Sequence, residues 1–272
     1  MTIAIKLEIS NTYVMKSLFG KFLFRLARLI LSKFNFTITL AGTSSQYPEV
    51  NRDELDFISL VHSNSMTMTS LESTITLALA CKYIAENDIE GEFVEAGVWR
   101  GGSSIIAKKF LTGNRNFYLF DTFKGMTEPT LHDYRVGQEP SDSARELWKR
   151  MQKVEHNEWV YASKEEVRAN FKRFNLWDGT IKLIEGNVLE TLKFGPLPKK
   201  ISLLRLDTDF YDSTLFELEV LWPLLTKGGV LILDDYGHWD GARRAVDEYF
   251  SAEKRILKIP IAGGGGRLVL KT

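Results

Sequence analysis

The 272-residue chain has a single cysteine, Cys81, so no internal disulfide can form, and a reducing compartment suits it. It also lacks net charge. Thirty-five Lys and Arg balance 35 Asp and Glu, so bulk charge gives no sign of a nucleic-acid partner. No apolar run reaches the length of a membrane-spanning helix. There is no fixed-period repeat and no low-complexity tract. Residues 14–33 are apolar enough to raise the question of a secretory signal, but they lie too far from the N-terminus and lack a small-residue cleavage site. A cytoplasmic protein with one sizeable core is the expectation.

What the chain does contain is a pair of apolar runs that each end in acids. Residues 201–211 read ISLLRLDTDFY, and 229–236 read GVLILDDY. Runs with so little alternation suit strands buried on both faces of a parallel α/β sheet. Residues 213–225 between them have helical composition, with Asp212 or Ser213 as the expected N-cap and 227–229 (Lys-Gly-Gly) as the stop. A right-handed crossover would set the two strands side by side. Asp207, Asp209, Asp234 and Asp235 would then meet at the sheet edge where open α/β folds bind ligands. Such a group repels itself unless a cation or protons neutralise it. All-oxygen ligands favour magnesium, calcium or manganese.

A second stretch, 91–104 (GEFVEAGVWRGGSS), runs from a strand through Gly97, Gly101 and Gly102 into a helix starting near Ser103. Such a turn lets a ligand approach the backbone at a helix N-terminus. It is neither a P-loop nor the GxGxxG dinucleotide fingerprint. Glu95, ending the first strand, would repel a pyrophosphate and attract an amine. The next strand ends at Asp121, the position that often binds ribose hydroxyls. A third ends before Asn187, within reach of an adenine edge. Together these features suit a nucleoside without phosphates, such as S-adenosylmethionine.

Elsewhere, 14–33 form a basic amphipathic helix. Packing on the main domain or on a second copy is favoured over contact with an anionic membrane surface. Residues 34–40 are expected as a short strand, 53–62 and 70–85 as helices, and 124–163 as a lid, being long, charged and broken by glycine and proline. Two antiparallel strands close the chain.

The segments 93–102 (FVEAGVWRGG), 119–126 (LFDTFKGM), 204–214 (LRLDTDFYDST) and 228–239 (GGVLILDDYGHW) resemble the TylF-type macrocin O-methyltransferases. The resemblance runs from about Thr67 to the C-terminus and leaves 1–66 as an N-terminal extension, expected to be helical and to support a homo-oligomer. It implies a doubly wound, Rossmann-like class I methyltransferase domain over 67–272, with seven strands, the last antiparallel. It also implies S-adenosylmethionine, a magnesium ion and methylation of a sugar or phenolic hydroxyl, on a sugar or a glycosylated small molecule. By the same resemblance Glu95 and Asp121 sit in the cofactor site, which Gly97, Val98, Gly101, Gly102, Ser103, Thr122 and Asn187 are expected to complete. Asp207, Asp234 and Asp235 become the metal ligands and Asp209 the catalytic base, with His238 as a fallback. The rival is a metal-dependent nucleotide-sugar glycosyltransferase using the Asp207-Thr208-Asp209 triplet.

Overall fold

The computed structural model describes residues 47–251 and 256–272. The helix expected at 14–33 and the strand at 34–40 lie outside the described residues. In chain order the elements are α1 (Arg52–Ser63), α2 (Leu71–Glu86), β1 (Glu92–Ala96), α3 (Gly102–Phe110), β2 (Phe117–Asp121), α4 (Ser143–Met151), α5 (Lys164–Arg173), β3 (Ile181–Glu185), α6 (Val188–Phe194), β4 (Ile201–Leu206), α7 (Tyr211–Leu221), β5 (Leu225–Leu233), α8 (Asp240–Ser251), β6 (Ile259–Pro260) and β7 (Arg267–Leu270).

The sheet runs β3-β2-β1-β4-β5-β7-β6. The first five strands are parallel, and β7 is antiparallel to both β5 and β6. The strand order reverses between β1 and β4, each the start of a half-sheet, and that switch point is where such folds open a crevice. Side chains alternate between the two faces. Val94, Ala96, Phe120, Leu204, Leu206, Leu231 and Leu233 join Leu192, Leu218 and Val246 of α6, α7 and α8 in one apolar cluster. Phe93, Leu119 and Leu203 are equally buried on the other face, the side of α2 and α3. Each of the larger side chains, Ala96 apart, contributes about 1.5–3 kcal/mol through burial. The sheet is therefore held rigid from both sides and presents its C-terminal edge as a fixed platform.

By its internal contacts the chain divides between Ser59 and Leu60, a few residues before the boundary expected at 66. The helix expected at 213–225 is shorter. It begins at Tyr211 and stops at Leu221, because Pro223 starts a 3₁₀ turn over Trp222–Leu224. The expected stop signal, 227–229, lies instead inside β5. Neither Asp212 nor Ser213 caps α7; Phe210 occupies the N-cap with no side-chain bond. Asp133, from the segment read as a lid, reaches in and accepts the Tyr211 amide at 2.8 Å. The helix α6 was not anticipated: it is only two turns long, and Asn187 caps it through the Leu189 amide at 2.9 Å.

Candidate active site

Gly97 follows β1 directly and holds φ +85°, and a Cβ there would overlap the Asp207 carbonyl oxygen. The turn can thus lie flat against the end of β4, and only glycine permits it. From this turn the amides of Val98 and Trp99 donate to Asp121 Oδ2 at 2.7 and 2.9 Å, while the Phe123 amide donates to Oδ1 at 2.8 Å. Burial raises the Asp121 pKa, and those three amides oppose the rise. The acid ending β2 therefore fixes the turn that ends β1. Thr122 Oγ1 donates to the Gly125 carbonyl at 2.6 Å and steadies the chain beyond it.

At the neighbouring strand ends the picture is different. The Asp207 amide donates to Ala96 O at 2.9 Å and the Asp234 amide to Leu206 O at 3.0 Å, which aligns β1, β4 and β5 just where the acids begin. One carboxylate oxygen from each of Asp207, Asp234 and Asp235 lies within 4.8 Å of the others. Asp209 sits beside them at φ +67°, facing Asp235 and Trp239. Its pKa is raised well above the carboxylate range by burial first and by Asp235 next. Asp207 is raised likewise, by burial first, with Arg205 opposing.

Arg205 was not anticipated. It stands directly opposite Glu95 in the β1–β4 register, 3% exposed, and its Nη1 donates at 2.7 Å to both Glu95 Oε1 and Asp207 Oδ2. Its Nη2 lies 3.0 Å from Asp234 Oδ1, an ion-pair contact without hydrogen-bond alignment. Burial opposes its charge, and the three carboxylates outweigh burial. The only sequence sign was an arginine inside a run of buried apolar residues. Glu95, expected to meet an amine, is fully buried and does not line the cavity. Its other oxygen accepts the Ser104 hydroxyl of α3, and burial raises its pKa.

These groups open into one cavity of about 760 Å³. Gly97, Val98, Gly102, Ser103, Asp121, Thr122 and Asn187 line it, as do Asp207, Asp209, Asp234 and Asp235. Gly101 does not; it backs the cavity wall, against Val167 and Phe171 of α5. The 124–163 segment supplies Met126, Trp159 and Val160 to the wall. It is pinned by Met126 N–Trp159 O at 3.0 Å and by an antiparallel bridge of Arg135 to Trp239. Phe210, Trp159 and Trp239 meet edge-on or tilted in a cluster with ring centroids 5.5–6.1 Å apart. Trp99, Val160 and Asp209 line the cavity at positive φ, a strain of about 1–3 kcal/mol each that rigid surroundings must hold. Both ring nitrogens of His238 already face partners. Its Nε2 accepts the Gly265 amide at 3.2 Å and its Nδ1 faces Asp235, which raises its pKa.

The family model for macrocin O-methyltransferase (TylF) matches residues 25–262. The chain belongs to that family. The match begins well before Thr67, so the family extends further toward the N-terminus than the motifs alone indicated. The chain is 34% identical to a Streptomyces olivaceus 8-demethyl-8-(2,3-dimethoxy-α-L-rhamnosyl)-tetracenomycin-C 4'-O-methyltransferase, over 71% of this chain and 69% of that one. It is 30% identical to the demethyldecarbamoylnovobiocin O-methyltransferase of Streptomyces niveus, over 68% of each. Among solved structures, the O-methyltransferase NovP superposes with a TM-score of 0.64 at 29% identity, covering 76% of this chain and 82% of NovP. The protein is thus an S-adenosylmethionine-dependent O-methyltransferase with the class I Rossmann-like fold. The glycosyltransferase reading has no support among these relatives and is set aside.

Proposed function

We propose that the protein methylates a sugar hydroxyl of a glycosylated small molecule, with a divalent cation, magnesium by preference, held by Asp207, Asp234 and Asp235. The fit rests on two observations: the three carboxylates converge within 4.8 Å, and Asp235 Oδ2 is buried with no hydrogen-bond partner. An oxygen-only donor set of this charge suits a hard cation. When bound, S-adenosylmethionine supplies the methyl group, and magnesium supplies a Lewis-acidic anchor for hydroxyl oxygens.

The chain's own residues do the rest. The Gly97–Gly102 turn and Asp121 receive the nucleoside, with Asp121 oriented beforehand by its amide donors. Asn187 borders the same end of the cavity. A sugar hydroxyl is a weak nucleophile at neutral pH, so a base must take its proton as the new bond forms. Asp209 is that base. Burial and Asp235 raise its affinity for a proton, so that its ionised form, which is the one that can accept, is a stronger base than an ordinary carboxylate. Trp159, Phe210 and Trp239 give the acceptor an apolar face and exclude water, leaving alignment to carry much of the rate. The sugar assignment rests on the relatives, one of which is named for a rhamnosyl-bearing substrate.

Incubation with isotopically labelled S-adenosylmethionine and a panel of deoxysugar glycosides, read by mass spectrometry, tests this. A labelled methyl on the sugar is expected. Label confined to a phenolic aglycone would overturn the sugar assignment.

A further inference from the structure

The acids at the β4–β5 edge cannot be arranged by their own attraction, since like charges push apart. Something must hold their oxygens in place before any cation arrives. Among the described residues the one buried cation in contact with them is Arg205, and its contacts are unusual in reach. The guanidinium touches Asp207 and Asp234, on two strand ends, and also Glu95 on a third strand. Glu95 lines no part of the cavity, and its second oxygen is tied to Ser104 in the first turn of α3, the helix that opens from the glycine turn. A continuous polar chain thus runs Ser104–Glu95–Arg205–Asp207/Asp234, from the cofactor side to the acid cluster.

We propose that Arg205 is a positioning residue: its fork fixes Asp207 and Asp234 as ligands for a divalent cation, with Glu95 as the anchor that sets the fork. Arginine suits the task and lysine does not, because a planar fork can engage several carboxylate oxygens at once while an ammonium is a single point charge. Glu95 then acts at a distance. It is directly opposite Arg205 in register and is closed off from any ligand, so its loss frees the guanidinium without removing a cation ligand. Groups that orient metal ligands typically matter by about 10–100-fold in metal affinity.

The inference rests on the metal reading above, and one titration separates the two. Manganese(II), followed by its paramagnetic resonance signal, is titrated into the parent, Arg205→Lys, Glu95→Gln and Ser104→Ala. The lysine variant keeps the charge and removes the fork. Ser104→Ala perturbs the anchor without changing any charge, and remains informative if the buried-charge variants do not fold. A parent that binds one ion, with affinity lowered about tenfold or more in Arg205→Lys and Glu95→Gln and less in Ser104→Ala, is the expected result. S-adenosylmethionine affinity should stay within a few-fold in Ser104→Ala, which a general loss of structure would not allow. A parent that binds while the folded variants bind equally well overturns the role of Arg205 alone. A parent that binds no ion overturns the metal reading, and this inference with it.

Discussion

Two strand-end sites, with β1 between them, handle carboxylates in opposite ways. At the end of β2, Asp121 receives three backbone amides. Peptide dipoles satisfy it, and the turn it organises is complete before any ligand comes. Past β4 and β5, of the four acids Asp207, Asp209, Asp234 and Asp235, only Asp207 and Asp234 touch Arg205, and one buried oxygen of Asp235 has no partner. The first site is finished by the fold. The second is short of positive charge. A preformed pocket for a nucleoside beside an under-neutralised acid cluster is the arrangement expected when one ligand binds by shape and another by charge.

Substitutions should separate the two sites. Asp209→Asn should lower kcat by about a hundred- to ten-thousand-fold, the usual contribution of a general base, with S-adenosylmethionine affinity within a few-fold of the parent. Single-turnover kinetics beside calorimetry would measure both; a variant with near-parental kcat removes Asp209 from the chemistry. Asp121→Ala should weaken S-adenosylmethionine binding by about 1–3 kcal/mol, the cost of losing buried, charge-assisted hydrogen bonds, and leave manganese binding unchanged. If cation affinity falls instead, the two sites are not separable as described.

A smaller effect concerns pH. Glu217 lies behind the Asp207–Asp209 turn, bonded to the Thr208 hydroxyl at 3.1 Å, and burial pushes its pKa up to about 8. The folded state binds this proton more tightly than the unfolded chain does. Stability is therefore lost as pH rises from the ordinary glutamate value toward 8, by an amount on the order of a few kcal/mol. Glu95, Asp121, Asp207 and Asp209 are shifted the same way. Glu217→Gln should flatten that part of the profile, so that denaturant midpoints of parent and variant diverge more at pH 8.5 than at pH 5. Parallel profiles would contradict a protonated Glu217.

The asymmetry between the two sites also explains what was legible in the sequence. Strands β1, β2, β4 and β5 were plain because parallel-sheet burial demands unbroken apolar runs, and the acids ending them marked the edge. The glycine turn was plain because its φ and its contact with Asp207 admit nothing larger. The roles of polar groups inside the sheet were not. Glu95 at a strand end looks the same in sequence whether it faces a ligand or an arginine, and only the β1–β4 register pairs it with Arg205. The cap of α7 was misread for a related reason, since local pattern points to Asp212 or Ser213 while the acceptor comes from Asp133, 78 positions away. Helix α6, at seven residues, is too short to show a 3.6-residue period.

The second site should work only with a divalent cation bound. Methyl transfer to an acceptor glycoside should be followed in parent enzyme stripped with excess chelator, then with magnesium added back in excess over the chelator. Activity abolished by the chelator and restored by magnesium is the predicted result. Full activity in the chelator would contradict it, and would leave Arg205 as the one buried cation in contact with the acids among the described residues.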